Sequence, residues 1–509
     1  MTVTSFHFFI LLAVGVAIYY IVPRKVQWLV LLALSIVFYV YAATPYTMIF
    51  LGLSTLISYV ATVAIDKLGP GGVSKAVTRI SVAAVFLNVI IWFLLKGSSF
   101  WILGSKMIHH VIPQASVLEA LPLAGALGMG YYTAQTIGYI LDVAWGNAAV
   151  QKNPIKLFLF ICFFPQLTVG PISRYNDLSV IYEGHDFSYQ NICFGCQRIL
   201  WGLFKKLVIS DRTGLIVNGI WDGEASFGGA WFWLAVFLYP LQIYTDFSGC
   251  MDIVLGAAEL FDIHMAENFR NPFFSKNSQE FWQRWHITLG TWARDYVYYP
   301  VLKSKFLVNL GKKSKKRFGK RIGKFIPWAV GMGILWFVMG FWHGSVQHIF
   351  GVSLWFWTML ILSELFKPLL TKLIEIFHIK TESLAWHIFQ SVRTYIVYAV
   401  GVVFFSSPGL RGAFHHYKLL LTSFSHASKG GGLDLLGVTA KDVWVIALGT
   451  LVLFVVDVLR EKHTYTRYWI AKRGVVLRLL IWIVLFFSVF ILGLYGIGYD
   501  ASSFIYQGF

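Results

Sequence analysis

Apolar stretches poor in charge recur along the whole chain, near 5–22, 26–43, 47–65, 80–97, 121–141, 155–173, 191–210, 228–260, 325–342, 347–366, 391–408, 442–458 and 477–497. Most approach the roughly 20 residues that a helix needs to cross a bilayer. A backbone in lipid must satisfy its own hydrogen bonds, so runs of this kind specify helices. The stretch 228–260 contains Pro240 and exceeds a simple span, which predicts two helices or one broken helix. Pro165-Gln166-Leu167-Thr168-Val169-Gly170-Pro171-Ile172-Ser173-Arg174 sets proline and glycine where a continuous helix would not want them. A re-entrant or broken segment lining a cavity is expected there, with Arg174 near its end. The pattern predicts an all-α polytopic membrane protein of about eleven to thirteen transmembrane or re-entrant helices. We expect N-terminal helices over 1–120, a core over 121–345 and C-terminal helices over 346–509, with an outer loop near 409–440.

Composition agrees with lipid as the solvent. Of 509 residues, 57% are hydrophobic and 13% charged, and the mean hydropathy is +0.66. No soluble globular domain needs so much apolar surface. The first run lacks a basic segment before it and a small-residue cleavage site after it, so it is expected to be an anchor. Arg24 and Lys25 behind it face the cytoplasm by the positive-inside rule, placing the N-terminus outside.

The net charge of +18 is concentrated. Ten Lys or Arg residues and no acid lie between Lys303 and Lys324. This loop either fixes topology against anionic lipid or attracts an anionic donor such as a coenzyme A thioester or an acidic carrier protein. Nucleic acid is not expected as a partner, since no nucleic-acid-binding signature accompanies the basic run. The four cysteines read as buried small hydrophobes, because Cys193-x-x-Cys196 has no second pair to complete a metal site. No phosphate-binding loop, dinucleotide fingerprint or HExxH motif is present, and no metal is predicted.

Two histidines in apolar settings carry the candidate chemistry. Ser278 is a plausible N-cap for a helix in which Phe281, Trp285, Leu289, Trp292, Tyr296 and Tyr299 form one apolar stripe. His286 then falls beside the stripe, on a row with Trp282, Gly290 and Ala293. Arg284, Thr291, Arg294 and Asp295 supply polar anchors for a helix at an interface or along a polar cavity. An aromatic belt with an incidental histidine fits the same spacing. His343 ends the apolar run 325–342 and precedes Gly344 and Ser345, where a break lines a cavity. A buried neutral imidazole suits a general base, although a core histidine bonded to a carbonyl fits as well. The other twelve histidines receive no role. Asp246 and Asp252 are positioned to orient an imidazole or to pair with Arg284 or Arg294, and a structural ion pair is an equal alternative.

These motifs together resemble the bacterial branch of the membrane-bound O-acyltransferases. The resemblance rests on Pro165-Gln166-x-x-x-Gly170-Pro171-Ile172-x-Arg174, Asp246-Phe247-Ser248-Gly249, Glu267-Asn268-Phe269-x-x-Pro272-Phe273, Glu280-Phe281-Trp282-x-Arg284-Trp285-His286, Trp292-x-Arg294-Asp295-Tyr296 and Gly340-x-Trp342-His343-Gly344. It implies helices around a membrane-crossing tunnel that joins a cytoplasmic thioester donor to an outer acceptor. It further implies that His343 is catalytic and His286 a second functional residue, with Trp282, Arg284, Trp285, Asp246, Arg294, Asp295, Trp342 and Arg174 binding substrate or supporting the site. No bound cofactor is implied beyond the acyl thioester co-substrate, acetyl-coenzyme A or an acyl carrier protein. An extracytoplasmic transferase partner and a glycopolymer acceptor are implied, in a bacterial cytoplasmic membrane. The length and the helices after 380 look more like the alginate-acetylating type, whereas Val338-Met339-Gly340-Phe341-Trp342-His343-Gly344 looks closer to the D-alanyl-transferring type. A transporter of lipid-linked glycan is the alternative of another class.

Overall fold

The computed structural model describes residues 1–43, 45–69, 74–96, 127–423, 432–462 and 465–495. It is all-α, and eight of the described helices are long and apolar enough to cross a membrane: the spans Arg24–Ala42, Met48–Leu68, Lys75–Phe93, Lys305–His343, His348–Ile376, Leu384–Ser406, Ala440–Glu461 and Val475–Leu492. Phe6–Ile21 is a shorter apolar helix. Large exposed side chains such as Leu480, Val484 and Phe487 on the last span fit lipid rather than water around it.

The chain forms two compact units. One takes the described residues of 1–202 and 250–266; the other takes those of 203–249 and 267–499. The expected boundaries near 120 and 345 do not coincide with this division. In the first unit, 155–173 is broken as its prolines and glycine predict: Pro154–Cys162 is a helix, Phe164–Leu167 a single turn, and an extended stretch then leads to Arg174. A Cβ on Gly170 would come within 2.2 Å of the Gln166 Cα, so this fold-back requires glycine. The expected break at Pro240 is absent, and Gly229–Glu259 runs as one helix of 31 residues. Part of the expected outer loop is helical, over Gly409–Thr422 and Leu433–Leu436; residues 424–431 lie outside the described set.

The basic segment is a helical hairpin instead of a loop. Lys305–His343 is reversed at Gly319, where φ is 82° and ψ 176°, a conformation that L side chains avoid. The arms then run antiparallel: a Cβ on Gly323 would lie 2.5 Å from the Lys315 Cα, and one on Gly311 3.1 Å from the Pro327 ring. Leu307 and Ser314 are buried, Leu307 against the second arm at Gly331, and all ten basic side chains from Lys303 to Lys324 are exposed.

Candidate active site

Both candidate histidines lie in the second unit, and the chain breaks its helices to present each of them. The predicted continuous helix after Pro272 is two short ones, Ser278–Arg284 and Ile287–Ala293. Asn277, not Ser278, is the N-cap, and its side chain accepts from the Glu280 N–H at 2.9 Å. At the break Trp285 is extended and His286 adopts φ 46°, ψ 53°, the left-handed region that non-glycine residues seldom occupy. Backbone hydrogen bonds from the 268–270 segment hold it there: Arg270 N–H donates to Arg284 O at 2.9 Å, and Ile287 N–H to Asn268 O at 3.0 Å. His286 therefore does not share a helical row with Trp282, Gly290 and Ala293. The apolar stripe survives the break, with Phe281, Trp285, Leu289, Trp292 and Tyr296 buried; Tyr299 is exposed.

Asn268 determines the state of His286. Its Oδ1 accepts from the Thr288 N–H and hydroxyl, both at 2.9 Å, so this atom is fixed as the oxygen. His286 Nδ1 lies 3.3 Å from the same oxygen and must carry the proton, leaving Nε2 with its lone pair. Burial among Phe247, 4.8 Å away ring to ring, and the neighbouring aromatics pushes its pKa from 6.5 to about 3. His286 is consequently neutral at physiological pH and a hydrogen-bond acceptor at Nε2.

His343 is the last residue of its helix, and Gly344 closes the end in the left-handed conformation, φ 84°. Its half-buried imidazole meets the edge of Trp342 at 4.9 Å and of Phe405 at 5.8 Å. Trp342 is the link between the candidates, since its ring also stands edge-on to His286 at 6.2 Å. Two residues 57 positions apart are thus held on one buried indole.

The supporting residues divide. Trp282 packs edge-on to Trp336 and Phe356 at 4.9 and 4.7 Å, and Trp285 to Phe269 at 5.0 Å, so both build the aromatic wall. Arg284 bonds Glu280 at 2.7 Å and Glu461 at 2.8 and 2.9 Å, tying the break to the helix Ala440–Glu461. Asp246 pairs with neither Arg284 nor Arg294: Lys206 Nζ lies 2.6 Å from its carboxylate and 2.8 Å from that of Asp211. Asp252, in the other unit, pairs with Arg198 at 3.0 Å. Arg294 bonds its neighbour Asp295 at 2.8 Å on an exposed surface. Arg174, also in the other unit, precedes the short helix Tyr175–Leu178.

Sequence reasoning missed Lys206 and His348, and it recorded Asn268 only as part of the Glu267–Phe273 motif, with no role. Lys206 was detectable as a lysine inside the apolar run 191–210, where burial demands a counter-charge. The role of Asn268 was not legible from its motif, and His348 gave no local signal, because both depend on residues brought from elsewhere. Lys206, the Arg294–Asp295 pair and His348 all lie on π-helical turns, Phe204–Ser210, Arg294–Tyr298 and His348–Val352, a distortion common near functional sites. Among the described residues no cluster of three or more His, Cys, Asp or Glu is placed to hold a metal ion.

Residues 129–314 match the family model of MBOAT, the membrane-bound O-acyltransferase family. The chain is similar to a probable alginate O-acetylase of Pseudomonas aeruginosa, 28% identical over 359 residues, covering 68% of this chain and 65% of that one. It is also similar to a peptidoglycan O-acetyltransferase of Helicobacter pylori, 28% identical over 67% of this chain and 66% of the relative. A teichoic acid D-alanyltransferase of Bacillus subtilis is 30% identical over 44% of this chain and 54% of its own length. The chain thus spans just under two thirds of the length of the alginate O-acetylase it matches.

Proposed function

We propose that this chain, which carries a domain of the membrane-bound O-acyltransferase family, transfers an acyl group, acetyl in the first instance, from a cytoplasmic thioester to a hydroxyl acceptor. The product serves modification of an extracytoplasmic polysaccharide. The observation that carries this reading is the pairing of His286 and His343 on Trp342 in a multi-pass membrane protein. The acetylating relatives support acetyl as the group and polysaccharide as the destination.

A hydroxyl with a pKa of about 10 or more is a poor nucleophile at neutral pH and needs a base within hydrogen-bond reach. His343 takes the hydroxyl proton as the oxygen attacks the thioester carbonyl. The new C–O bond forms, the C–S bond breaks, and the departing sulfur receives the proton that His343 held. His286 has a different task. With its proton on Nδ1 it offers Nε2 to an N–H or O–H of a substrate, which orients that substrate and excludes a neutral His286 from donating to the oxyanion through Nε2. No bound cofactor takes part in this scheme; the donor is acetyl-coenzyme A or an acyl carrier protein, and a separate extracytoplasmic transferase completes delivery in a bacterial cytoplasmic membrane.

Transfer of D-alanine from an acidic carrier protein is a second reading, favoured by the D-alanyltransferase relative and by the ten exposed cations from Lys303 to Lys324. Membranes supplied with acetyl-labelled coenzyme A thioester test the first reading. Label in a polymer or partner protein, lost with His343→Ala, supports it. Labelling from D-alanyl carrier alone selects the second, and movement of unmodified glycan without labelling indicates transport.

A further inference from the structure

His348 begins a π-helical turn, His348–Val352, which follows the Gly344–Ser345 bend that ends the His343 helix and the two helical residues Val346 and Gln347. It is buried, and its ring stacks on that of His343 with centroids 5.3 Å apart and planes inclined by 22°. Ser345 Oγ hydrogen-bonds to its Nδ1. Phe405 closes the arrangement, edge-on to His348 at 4.6 Å and to His343 at 5.8 Å. The backbones are equally close. A Cβ on Gly340 would lie 2.7 Å from the His348 carbonyl oxygen, 2.8 Å from the Ile349 Cα and 2.3 Å from Ser353 Oγ. Only glycine lets the helix end and the π turn meet in this way.

A histidine on the last turn of a helix, followed by glycine, has an imidazole with room to rotate, whereas proton transfer needs it aimed. Here one face of the His343 ring is covered by a second ring that is itself held by Ser345 and Phe405. We propose that His348 is a positioning residue for His343, a fixed aromatic wall that sets the direction of its proton-accepting nitrogen. The inference rests on the reading of His343 as the general base. The stacked face also lies against the charge that His343 acquires when it takes the proton, a contact of the cation–π kind.

Two measurements on the full-length protein in membranes test the inference: the acyl content of surface polymers by mass spectrometry, and the rate at which diethyl pyrocarbonate modifies His343, read from its peptide. His348→Ala is expected to lower acyl content to about a tenth or less, as loss of alignment does at a reacting group. The modification rate of His343 is expected to rise severalfold. His348→Phe keeps a ring in place and is expected to restore both, at equal protein levels; His348→Gln, similar in size but not aromatic, is expected to restore neither fully. Wild-type acylation and an unchanged modification rate in His348→Ala would overturn the proposal. So would a loss of acylation that His348→Phe does not recover while His343 reacts at its normal rate, since that outcome assigns His348 a chemical role. If His343→Ala retains acylation, the base reading fails separately, and the modification rate still decides whether His348 holds the ring.

Discussion

At the scale of single residues, the site is governed by which atoms carry protons and which backbone conformations are held against their preference. The loss expected of His343→Ala and His343→Gln is similar, about 100-fold or more in acylation at normal expression, because neither side chain accepts a proton at neutral pH. Retained turnover in either removes His343 from the base role. Asn268→Ala strips the buried Thr288 N–H of its acceptor and should lower stability by about 1–3 kcal/mol, read as a shift in thermal unfolding in detergent. His286 adds a pH dependence. Its folded pKa, about 3, is below the ordinary 6.5, so the unfolded chain binds the extra proton between those values. The sign follows: no penalty exists above about pH 6.5, and stability falls progressively as the pH drops from there toward about 3. His286→Asn tolerates the left-handed backbone and cannot titrate, so its melting temperature should vary less between pH 7.5 and 4.5 than that of the wild type. Parallel curves would contradict this account.

At the scale of elements, breaks matter more than helices. The Trp285–His286 interruption takes His286 out of helical register, the Gly344 bend ends its helix at His343, and the π turn begins at the buried His348. Gly340→Ala tests this directly, because the added methyl meets Ser353 and the His348 carbonyl. Overpacking of this kind costs about 1–3 kcal/mol, and acylation should fall further than the stability change alone explains. The aromatic stripe from Phe281 to Tyr296 was legible in the sequence because a helical period persists across a short break. The break itself was not legible, since the backbone of 268–270 supplies the hydrogen bonds that permit it.

For the whole molecule, charge placement in and around lipid sets both stability and partners. Lys206 lies between Asp246 and Asp211 with its side chain 2% exposed. Replacing it by Met leaves the buried Asp246 and the partly buried Asp211 without that cation, a change that costs about 3–5 kcal/mol. Protein level and unfolding temperature should both drop, and an unchanged melting point would show that these carboxylates are solvated or otherwise balanced. The hairpin of 305–324 is the opposite case, with its cations in water. Reversal of Lys313, Lys316 and Lys320 to Glu should abolish binding of an acidic carrier if that is the donor, and should leave the fold intact, since their side chains are exposed.

The sequence by itself determined the polytopic helical class, the apolar spans, the broken segment near Pro165–Gly170 and the two histidines worth testing, because these follow from local hydropathy and from residues that bend or refuse to bend a helix. Tertiary structure alone decided that Trp342 joins the histidines, that Asn268 fixes the tautomer of His286, that His348 stacks on His343 and that Asp246 belongs to Lys206. Each of these depends on a contact between side chains, and a contact across a fold leaves no period in the chain from which to read it.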